Sequence, residues 1–159
     1  MEKIRVLFVC THNAARSQIA EAFLNAVAGE RFEAESEGLE PRELNPLVLN
    51  AMQEIGFDLS GKTADSVFEL YKEGGFYDYV ISVCEPETEQ QCPVFPGTRK
   101  RLHWPFPDPA KLEGGYEERL KETRKIRDGI RARIESWAQG FDEDCQPLNT
   151  IRCDHTECR

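Results

Sequence analysis

Hydrophobic positions follow two spacings along the chain, which predicts strands alternating with helices. Residues Ile4 to Val9 form a nearly unbroken apolar run with one arginine, as expected of a strand buried on both faces of a parallel sheet. Residues Arg16 to Ala28 then repeat apolar side chains at helical spacing, and Gly29 ends this segment. A strand, a short loop and an amphipathic helix in this order predict the opening of a βαβ unit.

The same alternation continues to about residue 140. It predicts a single doubly wound α/β domain over residues 1–140, with a parallel sheet flanked by helices. The further predicted strands are Phe32 to Ser36, Tyr77 to Val83 and Arg99 to Trp104. The further predicted helices are Asn45 to about Gly56 (with Asn45 as N-cap and Pro46 first), Asp65 to Lys72 and Tyr116 to Trp137.

From Phe141 onward the hydrophobic pattern stops, and we interpret residues 141–159 as a cysteine-rich C-terminal tail. Four soft side chains could bind zinc or another ion that prefers sulfur ligands, but their spacing matches no paired Cys-x-x-Cys zinc pattern. Thiols without a ligand, and a thiol that joins a redox relay, are the alternatives left open by the sequence. These four side chains are Cys145, Cys153, His155 and Cys158.

Composition narrows the classes of function. The chain has 159 residues, 40% of them hydrophobic and 31% charged, and its formal net charge is −9, which argues against nucleic acid as a partner. Any anion site must therefore be built locally, from backbone amides and a few cations. The start contains no secretory signal and the chain has no apolar run of membrane-spanning length, so we expect a cytoplasmic protein that does not bind membranes. We also expect it to be a monomer. Cysteines in that compartment are more often catalytic or metal-bound than structural.

The turn between the first strand and the first helix is the predicted oxyanion site. Helix N-terminal amides and their partial positive charge favour an anion there, and Arg16 can add a planar pair of donors. The same field favours the ionised form of the Cys10 thiol, to which Ser17 could donate a hydrogen bond. The turn consists of Cys10, Thr11, His12, Asn13, Ala14, Ala15, Arg16 and Ser17.

A second cysteine occupies a comparable place. Cys84 directly follows the predicted strand that ends at Val83, just as Cys10 ends the first strand. Ligands of doubly wound sheets bind outside the carboxyl ends of the strands. Both thiols are therefore expected at the functional edge of the sheet.

The segment from Cys10 to Ser17 resembles the phosphate loop of the low-molecular-weight protein tyrosine phosphatases and of the arsenate reductases built on that fold. That loop consists of a cysteine, five residues, an arginine and a serine. The resemblance continues through Gln18 to Glu21 and covers about residues 3–138. It implies a four-stranded parallel sheet with this loop as the active site, whose residues 11–16 surround the oxyanion. His12 stands where many relatives have glycine.

The resemblance also implies a general acid. In this family it is an aspartate before a proline late in the chain, which corresponds to Asp108 in the segment from Trp104 to Ala110. Phosphatases of the eukaryotic type follow this Asp-Pro with aromatic residues. Here Ala110 and Lys111 follow, which favours a small inorganic substrate over a phosphotyrosine peptide.

Cys84 and Cys92 separate reduction from hydrolysis. Hydrolysis of a phosphate ester needs no second thiol, whereas reduction of As(V) to As(III) needs two electrons, which a dithiol supplies by becoming a disulfide. The thioredoxin-coupled arsenate reductases resemble this chain in both cysteines and in the later His103-Trp104 pair. The resemblance implies that Cys10 attacks arsenate, that Cys84 attacks Cys10, that Cys92 attacks Cys84, and that thioredoxin (or glutaredoxin) reduces the final disulfide.

A potassium ion is a further expectation from the reductase branch of the family, which otherwise implies no required cofactor. All four corresponding residues carry oxygen atoms, as a hard cation requires. They are Asn13, Glu21, Ser36 and Asp65.

Three functions remain open at this point. The preferred interpretation is an arsenate reductase, and the second is a phosphatase acting on aryl phosphates. The third is a non-catalytic redox sensor that binds oxyanions or metals. Because binding alone needs no general acid, the set of Cys10, Arg16 and Asp108 favours an enzyme.

Overall fold

Four parallel strands form the central sheet in the computed structural model, which describes residues 3–84, 93, 95 and 97–141. Their order in space is β2-β1-β3-β4, and every neighbouring pair is parallel. This confirms the predicted fold class. The strands are β1 (Ile4–Cys10), β2 (Phe32–Gly38), β3 (Tyr79–Ser82) and β4 (Lys100–His103).

The helices follow the predicted order, and their ends are set by local capping. Asn45 accepts a hydrogen bond from the Leu47 amide at 2.9 Å, and Pro46 occupies the first helical position, as expected. The third helix begins two residues later than predicted because Ser66, not Asp65, caps it. The helices are α1 (Arg16–Ala28), α2 (Pro46–Gln53), α3 (Val67–Lys72) and α4 (Tyr116–Ala138), and a 3₁₀ turn spans Pro109–Lys111.

Two hydrophobic layers enclose the sheet, one on each face. Phe8 of β1 packs into the larger layer beneath α1 and α4, whereas Leu7 and Val9 point into the smaller layer beneath α3. Side chains of a strand alternate between faces, so a strand covered on both sides must be apolar throughout. This position explains why the sequence of β1 shows an apolar run without alternation.

Phe141, where we placed the beginning of the tail, packs in the core. Its ring makes edge contacts with Phe32, Tyr79 and Trp137, and it is 8% exposed. Its carbonyl oxygen accepts a hydrogen bond from Arg31 at 3.0 Å. The four soft side chains of the tail lie outside the described residues.

Helix α4 is fixed against α2, and this places its first turn beside the β1–α1 loop. The Arg127 guanidinium is buried and donates to the Ala51 carbonyl at 2.7 Å. Arg124 forms an ion pair with Glu54 at 2.8 Å. Within the described residues, no helix combines the length and the apolar character that crossing a membrane would require.

Candidate active site

The loop between β1 and α1 curls around the sulfur of Cys10. The Asn13 amide donates to Sγ at 3.1 Å, and Ser17 Oγ lies 2.9 Å from the same sulfur. The residue is only 2% exposed, yet it contributes to the wall of a cavity. The sulfur therefore faces the donors of the loop, which is the orientation that the predicted chemistry requires.

Asn13 holds the loop in shape. Its φ of 50° lies in the left-handed region, where asparagine is tolerated better than most residues. Its Oδ1 accepts from Gln18 Nε2 at 3.0 Å and from the Asp65 amide at 3.1 Å. Its Nδ2 donates to Ser17 Oγ at 2.7 Å. Since Ser17 Oγ accepts this hydrogen bond, its own O–H is left to donate to Cys10 Sγ, where it stabilises negative charge on the sulfur.

Backbone hydrogen bonds turn the carbonyl oxygens of the loop away from its centre. Four of these oxygens accept from amides of the segment that follows β2. Because successive N–H groups and carbonyls of the loop point to different sides, carbonyls that are bound outside leave amides directed inward, as in other anion-binding nests. The acceptors are the carbonyls of Cys10, Thr11, His12 and Ala14, and the donors are the amides of Leu39, Glu40, Arg42 and Asn45, at 3.2, 2.6, 2.9 and 2.9 Å.

The first helix has no competing cap. Ala15 precedes α1, and no side chain accepts from the amides of its first turn. These amides and the positive end of the helix dipole are therefore available to an oxyanion.

His12, the departure from the family's glycine, needs no left-handed backbone, because Asn13 is the sole described non-glycine residue with positive φ. Its Nδ1 lies 2.9 Å from the Glu40 carbonyl, so Nδ1 carries the proton in this arrangement.

Gly38 allows β2 to end against this loop. A Cβ atom at this position would lie 2.8 Å from the Asn13 amide nitrogen and 2.8 Å from the His12 carbonyl carbon. Both are backbone atoms and cannot rotate away. The glycine is required here because of the close approach, and nothing in the local sequence pattern indicated this.

Arg16 and Asp108 lie together at the wall of the cavity. Arg16 Nη1 donates to the Phe106 carbonyl at 3.0 Å, and its Nη2 lies 3.6 Å from Asp108 Oδ2. The side chains are only 3% and 10% exposed. Asp108 Oδ1 accepts from the Ala110 amide at 2.9 Å, which fixes the carboxylate. The arginine faces the site and not open water, as the sequence-based interpretation required.

The cavity has a volume of about 530 Å³. Among the predicted oxyanion-binding residues, His12, Ala14, Ala15 and Arg16 line it together with Cys10 and Asp108, whereas Thr11 and Asn13 are not part of its lining. The segment after β2 and the start of α4 complete the wall. The remaining lining residues are Arg42, Glu43, Leu44, Asn45, Pro46, Leu47, Pro109, Ala110, Tyr116 and Arg119.

Cys84 lies just beyond the end of β3, next to the end of β1. Val9 pairs with Ser82, and the Val83 amide donates to the Val9 carbonyl at 2.8 Å. This register brings Val83 opposite Cys10, with Cys84 following directly on a strand about 4.8 Å away. Cys84 is fully buried. Its predicted partner Cys92 lies outside the described residues.

The four oxygen-bearing residues predicted for potassium are brought close together in pairs. Asp65 donates its amide to Asn13, and Ser36 donates its amide to the carboxylate of Glu21. The donor set suits a hard cation in chemistry. However, Lys62 Nζ lies 3.0 Å from Glu21 Oε2, so a lysine already supplies positive charge at this carboxylate.

Two buried carboxyl groups have altered acidity. Burial raises the pKa of Glu21, and the hydrogen bond from Lys62 opposes this effect. Burial, followed by repulsion from Asp65 and Glu35, raises the pKa of Glu37 to about 8. Glu37 is therefore largely protonated in the fold at neutral pH.

Comparison with known proteins identifies the family. The sequence profile of the low molecular weight phosphotyrosine protein phosphatases matches residues 5–147. The chain belongs to this family. Within the family, an arsenate reductase of Shouchella clausii is 39% identical over 140 residues, covering 87% of this chain and 98% of that protein.

Solved structures of family members have the same fold. An arsenate reductase from Archaeoglobus fulgidus superposes with a TM-score of 0.67 and 30% identity, covering 84% of this chain and 98% of that one. A thioredoxin-dependent arsenate reductase from Corynebacterium glutamicum gives a TM-score of 0.55 and 31% identity, covering 85% of this chain and 63% of that one.

Sequence reasoning missed several residues that build this site. Gln18 connects Asn13 to the Thr63 carbonyl, and its only signal was its place in the stretch from Gln18 to Glu21 that resembles the family. The carbonyl that positions Arg16 belongs to the backbone of Phe106, so no side chain in the sequence indicated this contact. Arg42 and Arg119 looked like ordinary surface charges, because their approach to the loop depends on how the chain folds back.

Proposed function

We propose that this chain reduces arsenate to arsenite and thereby serves arsenic detoxification. The observation that carries this proposal is the environment of Cys10 Sγ, which accepts from the Asn13 amide and lies beside Ser17, in the same cavity as the Arg16–Asp108 pair. The arsenate reductase names of two relatives, 39% and 38% identical to this chain, support it. So does the second cysteine at the adjacent strand end.

The first step joins the cysteine to the oxyanion. The Cys10 thiolate attacks arsenic, and a hydroxyl group leaves as water with a proton from Asp108. Inward amides and the Arg16 guanidinium hold the arsenate oxygens during this exchange. Because Asp108 Oδ1 is occupied by the Ala110 amide, we assign the proton transfer to Oδ2, the oxygen nearer Arg16.

The second step transfers the electrons. The Cys84 thiolate attacks Cys10 Sγ, and the sulfur–arsenic bond breaks with its electron pair passing to arsenic. Arsenite leaves as As(III), and a Cys10–Cys84 disulfide remains. Cys92 then attacks Cys84, so that Cys10 returns to its thiolate and the disulfide moves to Cys84–Cys92. Cys84 is fully buried, so its sulfur must become accessible to Cys92 for this exchange.

A dithiol protein of the thioredoxin type is the electron donor in this proposal, with glutaredoxin as the alternative. The thioredoxin-dependent relative from Corynebacterium glutamicum supports the first choice. A cytoplasmic monomer remains our expectation.

The potassium site stays a prediction, and the ammonium group of Lys62 would compete with the ion for Glu21. Lys62 is paired with Glu21, one of the expected ligands. We expect potassium to raise the activity of Lys62→Gln more than that of the wild type, because the substitution releases the Glu21 carboxylate. The measurement replaces KCl by NaCl at constant ionic strength, and equal responses of both proteins would argue against a cation site at Glu21.

Phosphatase activity is the second candidate, because the same loop and the same Asp108 are the parts that hydrolysis of an aryl phosphate needs. Cys84 distinguishes the two reactions. Hydrolysis uses Cys10 alone, whereas reduction needs the second thiol.

The experiment measures arsenate-dependent NADPH consumption with thioredoxin and thioredoxin reductase for the wild type, Cys84→Ser and Cys10→Ser. We expect turnover only in the wild type. A donor-independent control measures arsenite and the loss of two thiols per protein in a single turnover. Aryl phosphate hydrolysis that survives Cys84→Ser, without arsenite formation in any of the proteins, would favour the phosphatase.

A further inference from the structure

The side-chain charges nearest to Cys10 supply at most one positive charge. Arg16 is paired with Asp108 at 3.6 Å, and both side chains are almost completely buried. While Asp108 is ionised the pair carries no net charge, and when Asp108 holds the proton for the leaving group the pair carries one positive charge. The site must hold a thiolate and a tetrahedral oxyanion. The chain as a whole has a formal charge of −9 and repels anions. Further positive charge inside the cavity is therefore needed for an oxyanion with two negative charges.

Arg119 is the side chain that meets this need. It lies in the first turn of α4 and lines the same cavity as Cys10 and Arg16. Its Nε atom is buried and has no hydrogen-bond partner among the described residues. A buried charged donor without an acceptor carries a desolvation penalty, and such a group in a native fold calls for an explanation, such as a ligand.

Other arginines of the same helix are not in this state. The guanidinium groups of Arg124 and Arg127 both contact Glu54, and Arg131 is paired with Glu135 at 2.9 Å. Arg119 thus differs from its helical neighbours both in its place at the cavity and in its unused buried donor.

The position of Arg119 is set by a rigid element. Its backbone amide donates to the Gly115 carbonyl at 3.0 Å at the beginning of α4, and the buried contact of Arg127 with Ala51 fixes that helix. Arg42 adds a second, exposed cation to the wall, and Glu43 adds an exposed acid that opposes it. The buried Nε atom of Arg119 is less screened by solvent than the exposed charges of Arg42 and Glu43.

We propose that Arg119 is a substrate-binding residue that supplies the positive charge for the second negative charge of a dianionic tetrahedral oxyanion held at Cys10. This inference rests on the proposed function for its substrate, arsenate, but its binding component applies equally to phosphate. The cavity, at about 530 Å³, has room for the oxyanion between the loop and this side chain.

The test compares Arg119→Met with Arg131→Met, which removes the same charge from the same helix outside the cavity. We expect Arg119→Met to raise the KM for arsenate and the inhibition constant of phosphate about tenfold, equivalent to about 1.4 kcal/mol. We expect kcat to stay within about twofold, and Arg131→Met to leave all three values unchanged. Arg119→Lys, which keeps the charge without the planar donors, should fall between.

A second readout separates charge recognition from a structural role. Phosphate gains its second negative charge between pH 6 and pH 8, whereas sulfate carries two charges throughout. We therefore expect the affinity of the wild type for phosphate, relative to sulfate, to increase over that range. This increase should be smaller in Arg119→Met. The free energy of unfolding should be unchanged or higher in this variant, since an unpaired buried donor is removed. Lower stability together with an unchanged pH preference would overturn the inference.

Calorimetric titration of phosphate into Cys10→Ser and into Cys10→Ser/Arg119→Met makes the result independent of turnover. Weaker binding in the double variant supports the role of Arg119 even if the wild type reduces no arsenate, in which case the proposed function alone fails. Equal phosphate affinity of the two proteins overturns the inference even if arsenate reduction is confirmed.

Discussion

Replacing Gly38 with alanine adds one methyl group at the end of β2, directly against the β1–α1 loop. The new Cβ would lie 2.8 Å from the backbone of both His12 and Asn13, whereas ordinary contact begins at 3.4 Å. The loop must therefore move by about 0.6 Å or more, or β2 must retreat by the same distance. No side-chain rotation can relieve the contact, because the nearest atoms belong to the backbone.

Two effects of different size follow from this displacement. Overpacking of a filled site costs about 1–3 kcal/mol of stability. The movement also shifts the Asn13 amide, which donates to Cys10 Sγ at 3.1 Å. Misplacement by about 1 Å lowers rates about 10²-fold, so a shift of this size predicts a loss of roughly ten- to a hundredfold in kcat/KM for arsenate.

Urea unfolding and steady-state arsenate reduction measure the two effects separately. Gly61→Ala is the matched control, because a Cβ at Gly61 has no atom within 4 Å. We expect Gly61→Ala to keep the activity and stability of the wild type. If Gly38→Ala is as stable and active as this control, the packing of β2 against the loop does not hold the catalytic geometry, and our account of the site is wrong.

Three further predictions concern the loop, the acidic end of β2 and the end of the domain. Asn13→Ala removes the acceptor for Gln18 and Asp65 and places alanine at φ 50°. It should lower the free energy of unfolding in urea by about 2–4 kcal/mol and also lower arsenate turnover. A loss of stability below about 0.5 kcal/mol would contradict the role of this hydrogen-bond network. The pKa of Glu37 is raised from 4.5 to about 8 in the folded protein. Between these values the folded chain keeps a proton that the unfolded chain has lost, so stability should fall as pH rises from 5 to 8. Glu37→Gln should flatten that fall in denaturant titrations at pH 5.5 and 8, whereas an unchanged slope would show that other groups cause it. Phe141→Ala should lower the free energy of unfolding by about 3–5 kcal/mol, because its ring packs in an aromatic cluster with Phe32 and Trp137. A loss below about 1 kcal/mol would indicate that the domain ends before this residue.

The order of strands and helices could be predicted from the sequence because it depends on local patterns. Side-chain alternation and helical spacing are properties of neighbouring residues, so β1 and α1 were predicted with almost the bounds that the structure has. The position of Cys10 and Arg16 at the β1–α1 turn follows from the same local information. Element ends were less accurate where one cap replaced another, as with Ser66 at the start of α3.

The surroundings of the loop depended on contacts between residues far apart in the chain. Gly38 is required because the end of β2 meets the loop. The Phe106 carbonyl positions Arg16, which lies ninety positions earlier in the chain. Arg119 lines the cavity because α4 packs against α2. Steric exclusion, backbone acceptors and the balance of charge in a cavity are set by distances in space, and spacing along the chain does not encode those distances. The sequence by itself determined the fold class and the place of Cys10 and Arg16 at the β1–α1 turn, and the tertiary structure decided which carbonyls, glycines and additional charges surround them.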